Sequence, residues 1–282
     1  MSLLSPERIL IALTPFELAY ARMTGALGAG ARLADKGVLA LQPQPASEGG
    51  HGPWHAGVAA LSALAADIAG RAARVTVVLS NHFVRYALVP PAEGLRGGAE
   101  DLAYARYCFG RIHGERSQGW EVRLSGAEND AARMASAIDL GLLQGLAGCF
   151  PSKAKPRLAS VQPYLMAAFN HWRRMAGREP VWLLLAEPQR ACLAHMSAGR
   201  WNAVHNARGD FDGPEQWAEL LDRERHRVPG GAGTDVLVHA PHRAEIDESQ
   251  VGPWRFQSLI LRAPSGYSPL EDQPLAMALC AV

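Results

Sequence analysis

The chain has 282 residues, 48% hydrophobic and 20% charged, which is enough apolar material for two cores and excludes disorder as its main state. Twenty-eight basic against 27 acidic residues leave a formal charge of +1, so no overall field exists to hold nucleic acid or another polyanion. No uncharged apolar run approaches the roughly 20 residues of a bilayer span, and Met1–Arg8 lacks the basic flank and apolar core of a secretion signal.

In chain order, Arg8–Leu13 and Leu18–Met23 are apolar runs around Thr14-Pro15-Phe16-Glu17, where Pro15 fixes a turn, and they predict a β-hairpin. Val38–Leu41 predicts a third strand. Trp54, Val58, Leu61, Leu64, Ala65 and Ile68 recur at helical spacing, and Val75–Leu79 reads as a buried strand. The middle section predicts a strand (Val84–Val89), a helix (Asp101–Ile112), a strand (Trp120–Leu124), a helix (Ala131–Leu146) and a strand (Arg157–Gln162). A helix over Tyr164–Met175, with Leu165, Ala168, Phe169 and Trp172 on one face, then ends at Gly177. After Pro180 the opening order returns: strands at Val181–Ala186, Ala191–Met196 and Trp201–Asn206, a helix at Pro214–His226 and a strand at Thr234–His239. A βββαβ order given twice predicts two similar lobes in an α/β duplication.

This order resembles the actin-like (ASKHA, ribonuclease H-like) fold. Within it the chain resembles PilM-type pilus-assembly proteins and the cytoplasmic part of the type II secretion L component. The likeness is carried by Val75–Leu79 with Val84–Pro90, by Ala135–Asp139 leading as a helix to Leu142-Leu143, by Arg157–Met166, and by Pro274–Leu279 as a last helix. The implied organisation is a first lobe over residues 1–162, with a subdomain inserted at about 84–160, and a second lobe over 163–282 entered through the connector helix 164–175.

The resemblance also says where chemistry belongs. Catalytic actin-like proteins carry Asp-x-Gly in the first hairpin turn of each lobe, the Asp holding hydrated Mg²⁺ and the Gly letting amides approach phosphate. Here the turns are Thr14-Pro15-Phe16 and Glu187-Pro188-Gln189, and Glu187 reads as a solvated turn residue. The glycine turn expected near adenosine is replaced by Val238-His239-Ala240-Pro241-His242. No nucleotide or other cofactor is therefore expected.

Other motifs stop short. Gly28-x-Gly30 and Gly231-x-Gly233 lack a third glycine and read as loops, and there is no Gly-Lys for a phosphate-binding loop. His51 with His55, and His239 with His242, have no adjoining Cys or His-Glu-x-x-His, so no metal site is expected. Ser80-Asn81-His82 reads as a turn between strands and not as a nucleophile. Cys108, Cys149, Cys192 and Cys280 form no C-x-x-C and are expected to be reduced, buried and structural in the cytoplasm. The seven tryptophans are assigned to packing. The bases are 25 Arg and three Lys; with the richness in Ala and Gly this reads as a compositional bias and not as an arginine-built site. Arg173 and Arg174 are assigned to the negative end of the connector helix, with Arg157 and Arg178 nearby.

The function implied is a non-catalytic scaffold of a type IV pilus or type II secretion-like assembly, cytoplasmic and held at the inner membrane by a PilN-like partner's short tail. The alternative is an actin-like ATP-dependent small-molecule kinase with unconventional phosphate contacts. In the PilM-like arrangement the tail lies in a groove at the lobe interface; Ser160–Asn170 is expected to wall it, with Arg157 and Tyr164 as partner contacts. The competing role for Tyr164 is packing of the connector against its own lobe.

Overall fold

The computed structural model describes residues 7–25, 30–43, 52–92, 94, 97–126, 131–151, 153, 155–228, 233–243, 249–262 and 264–282. His51, Gly28 and Gly231 lie outside them. The elements begin with β1 (Glu7–Leu13), β2 (Glu17–Thr24), β3 (Arg32–Ala40), α1 (His55–Asp67), β4 (Ala73–Leu79) and β5 (Val84–Val89). They continue with α2 (Ala99–His113), β6 (Trp120–Leu124), β7 (Arg133–Asp139), α3 (Leu140–Cys149), β8 (Arg157–Pro163) and α4 (Tyr164–Trp172). The rest are β9 (Val181–Glu187), β10 (Arg190–Ser197), β11 (Arg200–Arg208), α5 (Pro214–Glu224), β12 (Asp235–His239), β13 (Ser249–Val251), β14 (Trp254–Ser258) and α6 (Ala276–Leu279). They form two compact units: Met1–Phe83 with Gly141–His171 and Leu261–Val282, and Val84–Leu140 with Trp172–Ile260.

The first unit is built on a sheet of order β3-β2-β1-β4-β8. The hairpin strands β1, β2 and β3 pair antiparallel, whereas β1–β4 and β4–β8 are parallel. Ile9–Leu13 are all buried, as a strand covered on both faces requires, and this is why β1 reads as a continuous apolar run. Helix α1 turns Gly57, Leu61, Leu64 and Ala65 inward. Gly57 permits its approach to β1, since a Cβ there would stand 2.6 Å from Leu13 Cδ1. On β3, Gly37 is opposite Tyr20, whose ring fills the space a side chain would take.

The second unit repeats the order as β11-β10-β9-β12-β14, with β13 added at the edge. All seven residues of β9 are buried. Trp182, Leu184 and Ala186 of β9 join Val236 and Val238 of β12, Phe256 of β14, and Trp217, Leu220 and Leu221 of α5 in one core. Two of its indoles have partners, Trp217 donating to Phe211 O at 2.8 Å and Trp254 to Asp222 Oδ1 at 3.1 Å, whereas the buried Trp182 Nε1 has none among the described residues. A smaller antiparallel sheet, β5-β7-β6, packs α2 through Ala105 and Phe109. There Arg133 pairs with Asp101 at 2.8 Å.

The duplicated βββαβ order is present, and Arg8–Leu13 and Val181–Ala186 fall in the equivalent first strands. Three expectations need correction. The helix expected over Ala131–Leu146 begins only at Leu140, because Arg133–Asp139 is the central strand of the small sheet, hydrogen-bonded on both sides. Pairing overrides the helical preference of its alanines. The inserted segment ends at Leu140 and not near residue 160, and its compact unit is that of β9–β12. Finally, Leu261–Val282 does not stay with the second sheet: Leu33 N–H donates to Ser265 O at 2.9 Å, and α6 packs on β1, β2 and β4.

Asp272 fastens this returning segment. Buried, it accepts from Lys36 Nζ of β3 at 2.7 Å and from the Ser268 amide at 2.8 Å. Removal of a buried acceptor that serves two donors, the exposed Lys36 ammonium and the half-buried Ser268 amide, costs on the order of 1–2 kcal/mol. Asp272→Ala is expected to lower the urea midpoint accordingly, and Asp272→Asn, which keeps an oxygen for the Ser268 amide, by about half as much.

Candidate functional site

The loops at the ends of β1 and β9 are where the duplicated fold exposes backbone at the end of a buried strand. In the first, Thr14 Oγ1 accepts from the amides of Phe16 at 3.0 Å and Glu17 at 2.9 Å, and donates to Glu17 O at 3.1 Å. The Thr14 amide donates to the same carbonyl at 3.0 Å. Pro15 has no N–H, so each amide of this turn is spent within it or missing, and none is left for an anion. Phe16 meets His82 edge-on, ring centroids 5.6 Å apart.

The second turn is chemically different. Gln189 takes the left-handed conformation, φ 59°, and its carbonyl accepts from Gly209 N at 3.2 Å. Glu187 and Arg190 flank the turn as a cross-strand pair and are only 6% and 5% exposed. This corrects the reading of Glu187 as a solvated residue. Arg190 donates to Asn206 Oδ1 at 3.1 Å, and Asn206 in turn donates to Val84 O at 3.2 Å. Burial, then the neighbouring Arg85 and Arg208, push the Arg190 guanidinium down to about 10, against the opposing pull of Glu187. The turn sequence alone gave no sign of these arginines, because they come from three strands; only a register connecting residues 190 and 208 brings them together.

Elsewhere the side chains serve packing. Ser80 Oγ accepts from the His82 amide at 3.1 Å and Ser80 O from Phe83 N at 2.9 Å, so Ser80-Asn81-His82 is a turn, as expected. His239 is buried against Trp172, ring centroids 4.7 Å apart, and burial pushes the His242 imidazole down. His55 is exposed at the start of α1. Among the described residues no three His, Cys, Asp or Glu side chains come together as a metal set. The cysteines are free; Cys192 and Cys280 are buried, with thiols pushed well up by desolvation, and Cys108 and Cys149 are half-buried. Among the described residues no helix is long and apolar enough to cross a membrane.

The two residues expected to contact a partner are not brought together. Arg157 is exposed at the start of β8, while Tyr164 is wholly buried where β8 passes into α4. The intervening strand separates them by roughly 20 Å. Arg173, Arg174 and Arg178 are exposed beyond α4.

No family model matches this chain. No curated protein matches it either. Among solved structures it is similar to the cytoplasmic domain of EpsL, an inner membrane component of the type II secretion system of Vibrio cholerae. That match has a TM-score of 0.55 and 13% identity, over 97% of this chain and 94% of that one. It is similar to the PilM–PilN type IV pilus biogenesis complex, with a TM-score of 0.56 and 13% identity over 83% and 81% of the two chains. A Bacteroides thetaiotaomicron protein with an actin-like ATPase fold and unknown function gives 0.54 and 9%, again over 83% and 81%. With the strand order found twice, these likenesses establish the actin-like ATPase fold for this chain.

Thr14 is the residue on which the closed form of the first turn depends. Thr14→Val, which keeps the shape and removes the oxygen, is expected to cost about 1–2 kcal/mol in chemical denaturation, as for the loss of a capping hydroxyl. Thr14→Ser is expected to stay within about 0.5 kcal/mol of the parent.

Proposed function

We propose that this chain is a non-catalytic actin-like scaffold of a type IV pilus or type II secretion-like assembly, docking the cytoplasmic tail of a PilN-like membrane protein. The observation that carries the reading is the first turn: Thr14 consumes the amides on which phosphate would rest, and Pro15 removes another. The second turn replaces a free carboxylate by the buried Glu187, already facing Arg190. The fold likeness to EpsL and PilM supports the choice of assembly.

For the tail we propose the outer edge of β8. It is the terminal strand of the first sheet, and an extended peptide adds to such an edge through main-chain hydrogen bonds. Arg157, exposed at its start, is the side chain placed to meet an acidic tail residue. Buried Tyr164 acts indirectly, by fixing the junction of β8 with α4.

Two measurements test this. With magnesium-ATP at millimolar concentration, calorimetry is expected to show no saturable heat, and phosphate release no rate above buffer; turnover that Glu187→Ala abolishes would establish a kinase-like or ATPase activity instead. In binding assays with N-terminal tails of PilN-like proteins from the same genome, Arg157→Glu is expected to weaken the productive tail about tenfold and Tyr164→Phe to leave it unchanged. Undiminished binding by Arg157→Glu would place the tail away from β8.

A further inference from the structure

The second unit carries a group of bases that no acid meets. Arg173, Arg174 and Arg178 are exposed on the turn that leads from α4 to β9, and none makes an ion pair or a side-chain hydrogen bond among the described residues. The bias of the chain towards arginine explains the residue type and not this isolation, since Arg22, Arg133, Arg227, Arg243 and Arg255 all reach carboxylates. Glu179 is the one acid of the segment 172–180, and it too is exposed and outside any ion pair among the described residues.

Two contacts gather these side chains into one surface. The Ala198 amide, in the turn between β10 and β11, donates to Arg178 O at 2.8 Å and so sets Arg178 beside the exposed Arg200 at the start of β11. Trp172, buried, donates its indole N–H to Ile260 O at 3.4 Å and accepts at its own carbonyl from the Met175 amide at 2.7 Å. Ile260 and Met175 are thereby both held at Trp172, and they are 67% and 47% exposed. Exposed apolar side chains scattered singly are ordinary, whereas two on one anchor, bordered by four cations, make a surface of mixed character.

We infer that this surface binds an anionic phospholipid bilayer, directly and independently of the scaffold reading and of the tail site on β8. The complementarity is of two kinds. Guanidinium groups pair with phosphodiesters at the headgroup level, each base near such a surface raising partition about fivefold. Met175 and Ile260 supply apolar side chains to the acyl boundary beneath, along which arginine stems also lie. An acidic protein segment fits less well. Arg173, Arg174 and Arg178 stand on a turn, whose backbone offers no strand edge to an extended chain, and such a segment would leave Met175 and Ile260 in water. Adsorption of this kind needs no spanning helix.

The test is sedimentation of the full chain with vesicles of equal parts phosphatidylcholine and phosphatidylglycerol, against vesicles of phosphatidylcholine alone. The chain is expected to bind the anionic vesicles at low salt, to leave the neutral ones in solution, and to lose most binding at about 0.5 M sodium chloride, where screening is strong. Arg173→Gln combined with Arg174→Gln is expected to weaken partition about 25-fold, and Arg178→Gln about fivefold. Met175→Ser is expected to weaken it about threefold, the part that charge does not supply. Arg116→Gln removes another exposed arginine, with the same change in net charge as Arg178→Gln, and is expected to bind as the parent does. The inference is overturned if the parent binds anionic vesicles no better than neutral ones, if the Arg173→Gln, Arg174→Gln chain binds as the parent does, or if Arg116→Gln weakens binding as much as Arg178→Gln. It is overturned as well if the peptide acetyl-Glu-Glu-Glu-amide, at micromolar concentration, releases the chain from the vesicles, which would make an acidic protein segment the occupant.

Discussion

The parallel pairing of a hairpin strand with the strand that follows the first helix, β1 with β4 and β9 with β12, governs both halves of the molecule. It places β1 and β9 inside their sheets, with neighbours on both sides and cover on both faces. A strand so enclosed has to be apolar at consecutive positions, and a parallel neighbour can be reached only by a crossover, which α1 and α5 provide. The same demand for cover explains the course of the C-terminus. The first sheet obtains α6 from residues at the far end of the chain, and the buried Asp272 with Lys36 holds that segment to β3.

The hairpin turns inherit their position from this arrangement, since each begins where a buried strand leaves the core. Backbone amides at such a place are available for ligands only if local side chains do not take them. Thr14 takes them in the first turn with a single oxygen. In the second the chain keeps charge but withdraws it, with Glu187 and Arg190 both turned into the protein. The strand order is thus repeated while its two turns differ in chemistry, and the turns, not the sheets, are where a functional reading has to be sought.

Much of the architecture was legible because enclosed strands leave a plain signature. Ile9–Leu13, Val75–Leu79 and Val181–Ala186 are runs that no exposed element would carry, and Trp217, Leu220 and Leu221 keep helical spacing. What escaped was what depends on partners distant in sequence. Met134–Ile138 contains two alanines and reads as helix until β5 and β6 are known to pair with it from either side. Ser249–Val251 and Trp254–Ser258 are too short to stand out, and the lobe to which Ala276–Leu279 belongs is decided by which sheet lacks cover.

The same limit bears on function. Residues near one another in sequence, such as Thr14 and Glu17, announce their chemistry locally, because a hydroxyl and the amides it captures lie within one turn. Arg85, Arg190 and Arg208 announce nothing. In a chain with 25 arginines each looks like composition, and Arg190 resembles any residue following a turn. Their significance arises from two facts of register: position 190 faces 208 across β10–β11, and Asn206, two residues before 208, reaches Val84 beside Arg85. Asn206 is well chosen for that place. Its amide serves both ends, the oxygen accepting from Arg190 and the nitrogen donating to Val84 O, a pairing that neither an aspartate nor an apolar residue could make.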